Sequence, residues 1–307
     1  MLVDPARLLA VLPLPSGASI EVEPLGLLPG SPEQVVVIQS GQPPAVRFVV
    51  RRSPDRERSE NNIAVLEALE RAGFNNSPRL AAVVDGAAVE TYPGGLPALV
   101  LDPPHELLAA AIDCLATLHT LPVREGLRWG QDPLDVVPGA GVPLFRLGFT
   151  SEERLAADPF LAAAQQHISG SPFGFVQGGL TAAHMLLTES EAFVFDFESS
   201  GFGPQLFDVA GLLLSLGLPP AARRDLALRY ARRRALDPPT TADLVDLAGL
   251  VWAFQWQLEL PRRLIENMGD DPAITSIRVL ASRIEESMRL PAGEHATASR
   301  LRSALWG

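Results

Sequence analysis

The side chains able to do chemistry gather between residues 177 and 208. The run Phe175-Val176-Gln177-Gly178-Gly179-Leu180-Thr181-Ala182-Ala183-His184-Met185-Leu186-Leu187 sets an amide, two glycines and an imidazole among apolar residues. Phe195-Asp196-Phe197-Glu198 follows, then Gly203-Pro204 and Asp208-Val209-Ala210. Carboxylates and imidazoles move protons and hold metal ions. Asp196 and Glu198 would equally serve as caps at the end of a β-rich run. Other chemistries lack their spacing. The histidines at 105, 119, 167, 184 and 295 contain no i, i+4 pair, which excludes a zinc site of the H-E-x-x-H kind. No G-x-S-x-G nucleophile turn occurs. Gly201-Phe202-Gly203 imitates a dinucleotide fingerprint, but Leu206 stands at the third glycine position and Pro204 interrupts it.

The elements that must position these groups fall into two kinds. Up to about residue 93, short strands surround one helix. Ser19 to Glu23 alternates, and Glu33 to Gln39 and Ala45 to Arg51 are β-branched runs separated by Gly41-Gln42-Pro43-Pro44. Pro54 to Ala72 reads as a helix with Ile63, Leu66 and Leu69 on one side and Gly73 as its stop. Strands near Arg79 to Val84 and Ala87 to Thr91 precede the break Tyr92-Pro93-Gly94-Gly95. Beyond it helices dominate. One ends near His119, residues 122–149 form a long loop, and Thr150 with Glu153 makes a capping box. Phe173 to Gln177 and Ala192 to Phe197 read as one small hairpin. Later helices span Gln205 to Leu216, Pro219 to Ala235 and Asp243 to Met268, the last capped by Thr240 and kinked by Pro261, with two more to the end. Trp252 and Trp256 are four apart, as core or as a pocket wall, and Glu259, Asp270 and Asp271 read as a solvated face. The domain boundaries are therefore 1–93 for a β-rich lobe, a hinge near 90–95, and 94–307 for a helical lobe. Clefts between two lobes are common ligand sites.

Composition narrows the setting. With 307 residues, 47% of them hydrophobic, the chain is long enough to bury a large core. A net charge of −11 argues against general nucleic-acid binding. All 25 basic residues are arginine, so any role that lysine carries elsewhere falls here to a guanidinium or is absent. A single cysteine, Cys114, excludes an internal disulfide framework and reads as core. No apolar run approaches the roughly 20 residues of a membrane span. The expectation is a cytoplasmic protein with a small-molecule ligand and no membrane or nucleic-acid partner.

The loop and its downstream half resemble the aminoglycoside phosphotransferase and choline kinase family. That family carries H-G-D-x-x-x-x-N between apolar residues, then D-[FW]-E, then G-[DP]-x-x-x-D-[LV]-A. The resemblance spans about residues 20–215 and implies an α+β, bilobal protein-kinase-like fold. It implies that Phe48-Val49-Val50-Arg51 is the strand whose cation reaches the phosphates, with Glu60 as its acidic partner. Glu90 to Gly94, including Tyr92, matches the hinge that holds adenine, and Gly30-Ser31 the phosphate-covering loop. Asp196 takes the metal-binding position in the 196–198 motif, and Asp208 that of a structural acid. The family's ATP and Mg²⁺ are the cofactors implied.

The loop 177–184 departs from the family where catalysis resides. The leading His is Gln177, the Asp that takes the acceptor's proton is Gly179, and the metal-binding Asn is His184. Three readings follow. One is a pseudokinase that retains a nucleotide or small-ligand site. Another is an active phosphotransferase on a small alcohol or amine, with a base from the 122–149 loop or Glu198. The third is an interaction protein without a nucleotide site, in which Arg51, Glu60 and Asp196 do not converge.

Overall fold

The structure, a computed structural model, describes residues 4–12, 14, 19–24, 34–39, 46–51, 55–123, 159–160, 162–164, 166–266 and 271–306. Gly30, Ser31, the capping box at Thr150 and all but the first two residues of the 122–149 loop lie outside them.

The first lobe is a five-stranded antiparallel sheet in the order β1-β2-β3-β5-β4. Its strands are β1 (Ser19–Pro24), β2 (Gln34–Gln39), β3 (Val46–Arg51), β4 (Leu80–Val84) and β5 (Ala87–Thr91). Side chains alternate across a strand, so β3 and β5 each have two characters. Phe48, Val50, Ala87 and Val89 face one way and form a small core with Val84, with Leu8 of α1 (Pro5–Val11) and with Leu12 just after it. Val49, Arg51, Ala88 and Glu90 occupy the alternate positions. This parity puts two charged residues on one buried face, because Arg51 pairs with Ala88 and Val49 with Glu90 in the ladder. Helix α2 (Arg56–Arg71) connects β3 to β4. Asp55 caps its start by accepting from the Glu57 N–H, and Gly73, at φ +75°, follows its end. Its buried side carries Val65, Leu66 and Leu69, but also Asn61 and Asn62.

The second lobe holds α3 (His105–Leu118), α4 (Leu206–Ser215), α5 (Pro220–Arg233), α6 (Pro238–Glu266), α7 (Asp271–Arg289) and α8 (Ala296–Trp306). These helices surround a large apolar core that also takes in Val65, Leu66 and Leu69 of α2. Cys114 lies in it, and burial pushes its thiol up to about 12. Trp252 packs there as well, next to Gly211. The side chains of Trp256, Glu259, Asp270 and Asp271 lie outside the described residues. Among the described residues, no helix is long and apolar enough to cross a membrane.

The expected hairpin is replaced by two separate ladders. Strand β7 (Phe173–Val176) pairs with β10 (Gly201–Pro204), while β8 (Met185–Leu187) lies between β6 (Leu96–Pro97) and β9 (Ala192–Val194). The loop 177–184 therefore leaves β7 and enters β8, and the segment 195–200 leaves β9 and enters β10. Two antiparallel pairs clamp the two loops side by side.

Helix α6 begins five residues before the expected start and runs on through Pro261. Its cap is Asp237, which accepts from the Thr240 N–H at 3.0 Å, rather than Thr240 itself. Pro238 and Pro239 follow the cap, in the first turn where a missing N–H costs nothing. Asp237→Ala is expected to cost about 1 kcal/mol in chemical denaturation and Thr240→Ala less than about 0.5 kcal/mol.

Candidate active site

The loop 177–184 is held from beneath by one buried carboxylate. Asp208, in the first turn of α4, accepts from the Gln177 N–H at 2.6 Å and the Gly178 N–H at 3.2 Å. It also faces His119 Nε2 at 3.3 Å. His119 ends α3, and its Nδ1 meets the Tyr230 hydroxyl at 2.8 Å. Tyr230 in turn accepts from Arg234, which also donates to Gln205 Oε1 at 2.9 Å. Gln205 Nε2 donates to the carbonyls of His119 and Phe175. The resemblance implied a structural acid at Asp208; the structure joins it to His119, at the end of α3, in one network. Burial holds the His119 imidazole below its ordinary range, outweighing the pull of Asp208. Burial also raises the Tyr230 phenol, which keeps its proton.

Gln177 ties the two loops together. Its side-chain N–H groups donate to the carbonyls of Phe195, at 3.4 Å, and Asp196, and its Oε1 accepts from the Gly179 N–H at 3.0 Å. The Ser200 hydroxyl donates to its carbonyl at 3.1 Å. An amide has both donor and acceptor for this work, and Gln177 is a positioning residue. Gly178 has φ +88°, and a Cβ there would stand closer than 3.0 Å to the Ser199 carbonyl. Gly179 has no such constraint: among the described residues, a Cβ there meets nothing within 4 Å. The position expected for the base is sterically open to a side chain and has none.

Asp196 sits on the other loop at φ +65°, a conformation that non-glycine residues seldom adopt. Its Oδ1 is 3.4 Å from Arg51 Nη1 and its Oδ2 is 3.6 Å from His184 Nε2. Arg51 comes from the end of β3 and stacks over the Phe195 ring, 5.4 Å from its centroid. These pairs are longer than the roughly 2.7–2.9 Å of a tight charge-assisted bond. The guanidinium is gathered by several groups rather than clamped by one.

The acid beside Arg51 is a correction to the sequence reading. Glu60 pairs with Arg56, one turn back on α2, at 2.7 Å. The carboxylate that comes to Arg51 is Glu90, from β5, at 3.5 Å. Positions 61 and 62 are the ones α2 turns inward. Asn62 donates to Glu90 Oε1 at 2.7 Å and accepts from the Phe197 N–H at 3.1 Å. Asn61 Nδ2 serves the carbonyls of Phe197, Glu198 and Ser200. Sequence reasoning missed both asparagines. The available signal was two adjacent poor helix formers in a helix interior. Glu198 is half-buried, and its described contact is that carbonyl.

His184 closes the site. Its Nδ1 lies 3.0 Å from the Gly179 carbonyl, which can only accept, so Nδ1 carries the proton. Its Nε2 faces the Asp196 carboxylate, which can only accept; a proton on Nε2 makes this an ion pair, and without one a cation would be needed between the two acceptors. Among the described residues no group of three or more metal-ligating side chains occurs. One carboxylate and one imidazole do not match Mg²⁺, which prefers oxygen donors throughout.

Above these loops lies a cleft of about 350 Å³, including its mouth, between β3 and β5 on one side and β8 on the other. Val49, Leu186 and Phe195 are apolar walls, and Arg51 and Glu90 reach it from the sheet. Tyr92, expected in the hinge, also lines it. Its hydroxyl donates to the Gly95 carbonyl at 2.9 Å, and burial raises its pKa, partly offset by Arg47.

A small sheet lobe, a helical lobe and a cleft between them define the protein-kinase-like bilobal α+β fold. Residues 29–244 match the model of the phosphotransferase enzyme family, and the chain belongs to that family. Its fold is similar to that of a choline/ethanolamine kinase family protein from Mesorhizobium loti, at 18% identity, 99% coverage of both chains and a TM-score of 0.64. Choline kinase from Cryptosporidium parvum Iowa II superposes at 11% identity, covering 92% of this chain and 93% of its own, with a TM-score of 0.62. LicA in complex with AMP does so at 14% identity, covering 91% and 97%, with a TM-score of 0.59. No curated protein matches the sequence.

Two tests follow from this geometry. Gly178→Ala is expected to destabilise by more than about 2 kcal/mol, and Gly179→Ala to stay within about 1 kcal/mol, by denaturant titration. The second concerns His119. Below the ordinary histidine pKa of about 6.5, the unfolded chain takes up a proton that the folded chain refuses. Stability is therefore full above that pH and falls on acidification, by up to ~1.4 kcal/mol per unit. His119→Gln should lose less stability than the native chain between pH 7.5 and 5.5, even if it starts lower.

Proposed function

We propose that this chain is a catalytically impaired phosphotransferase, a pseudokinase that retains a nucleotide-binding cleft. The observation that carries the reading is Gly179: the base position holds no side chain, while Arg51 and Asp196 still meet at 3.4 Å beside an apolar cleft. A positioned base contributes roughly 10²–10⁴-fold in rate, and the imidazole of His184 replaces an oxygen ligand. The AMP held by LicA on a similar fold supports a nucleotide as the occupant. A purely scaffolding role required Arg51, Glu60 and Asp196 not to converge; Arg51 and Asp196 do meet, which speaks against it, while Glu60 pairs with Arg56 instead. An active enzyme on a small alcohol or amine would need its base from elsewhere, and among the described residues no acidic side chain stands at Gly179.

If ATP is supplied, its phosphates fall to Arg51, and its base to the cleft. No step through Mg²⁺ is assigned, because the donors do not match it. The expected result is a higher unfolding midpoint with ATP, worth about 2.7 kcal/mol at 100 times Kd, and a smaller shift in Arg51→Gln. No phosphorylated product should form from small alcohols or amines. Robust phosphorylation that Asp196→Ala abolishes would falsify the impairment; the absence of any midpoint shift would remove the nucleotide.

A further inference from the structure

A second cavity lies within the helical lobe and shares no lining residue with the cleft. Helices α4, α5 and α6 and the turn after α7 enclose about 280 Å³, including its mouth. Ala210, Leu213, Leu214, Ala227 and Val245 give it apolar walls. Arg223 and Asp246 also line it, although they are only 3% and 7% exposed. Each is held by part of its polar group. Arg223 Nη1 donates to the Ser287 carbonyl at 2.8 Å, and Nη2 to the Leu290 carbonyl at 2.6 Å. Asp246 Oδ1 accepts from the Ala292 N–H at 3.0 Å and from Arg302 Nη2 at 2.7 Å. The remaining atoms, Arg223 Nε and Asp246 Oδ2, are buried and have no hydrogen-bond partner among the described residues.

A buried donor and a buried acceptor left unpaired are costly and rare. Burial lowers the Arg223 pKa and Asp246 works against it across the gap. The bonds at their other atoms hold the two short of an ion pair. A group that completes both must accept from Arg223 and donate to Asp246. A carboxylate has no proton to give and is repelled by Asp246. An ammonium cannot accept, and Arg223 and Arg302 repel it. A neutral hydroxyl does both. A lone water would too, but its share of roughly 30 Å³ leaves most of the apolar wall without contacts. An apolar cavity of roughly 150 Å³ accommodates benzene, which sets the scale of the body that fits. Arg224 also lines the cavity, and its side chain, 32% exposed, connects it to the surface.

We propose that this cavity binds a small neutral alcohol, an apolar body of about six carbons whose hydroxyl accepts from Arg223 Nε and donates to Asp246 Oδ2. The site does not depend on nucleotide binding. The test is a methyl-detected NMR titration of the full chain with cyclohexanol and with cyclohexanone, which accepts but cannot donate. The expected result is saturable shifts at Leu213, Leu214 and Val245, with cyclohexanol bound about tenfold more tightly. Asp246→Asn keeps the oxygen that holds Ala292 and puts an N–H in place of Oδ2, so the alcohol's advantage should fall below about twofold. Ala227→Leu fills the cavity, leaves both polar groups in place and should abolish the shifts from both compounds. Equal binding of the two, an advantage that survives Asp246→Asn, or no saturable shift at these methyls overturns the inference and leaves the gap to a water molecule.

Discussion

Asp208 is the anchor on which the site's geometry depends. A carboxylate that is 2% exposed is tolerable only if its oxygens are fully used. Here they take two consecutive backbone N–H groups, of Gln177 and Gly178, and face the His119 ring. The loop thereby has its path set by a helix that follows it in sequence. Removing the acid would orphan three donors at once, a larger penalty than any single hydrogen bond suggests.

From that anchor the construction proceeds outward. Gln177 carries the constraint across to the Phe195–Asp196 segment, and Asn61 and Asn62 carry it on to α2 and β5. Arg51 and Asp196 meet as the last members of this chain of bonds. The same logic explains how the loop keeps its form with a glycine at 179. None of the groups that shape the loop depends on a side chain at Gly179, so that position can be emptied at little structural cost. The support of the loop is thus carried by residues other than 179.

Much of this was legible beforehand, and what was not has a physical cause. Arg51, Asp196 and Asp208 could be placed because they lie in short motifs with fixed spacing. Glu60 could not be placed from spacing alone: on a helix, one residue is about 100° of rotation, and that difference separates Glu60 from the inward pair at 61 and 62. Glu90 reached Arg51 through strand register, which connects residues 39 apart and leaves no local trace. The β7–β10 pairing was hidden for another reason. Gly201-Phe202-Gly203-Pro204 has almost no strand propensity and is extended only because a partner holds it.

The two asparagines of α2 set a limit on how the lobes can move. Asn61 is bonded to three carbonyls of the segment after Asp196, and Asn62 bridges that segment to Glu90. A helix tied this way to both lobes cannot swing as a lever without breaking buried polar bonds together. The two lobes are thus coupled through α2, and any relative motion between them must carry this helix along or give up those bonds.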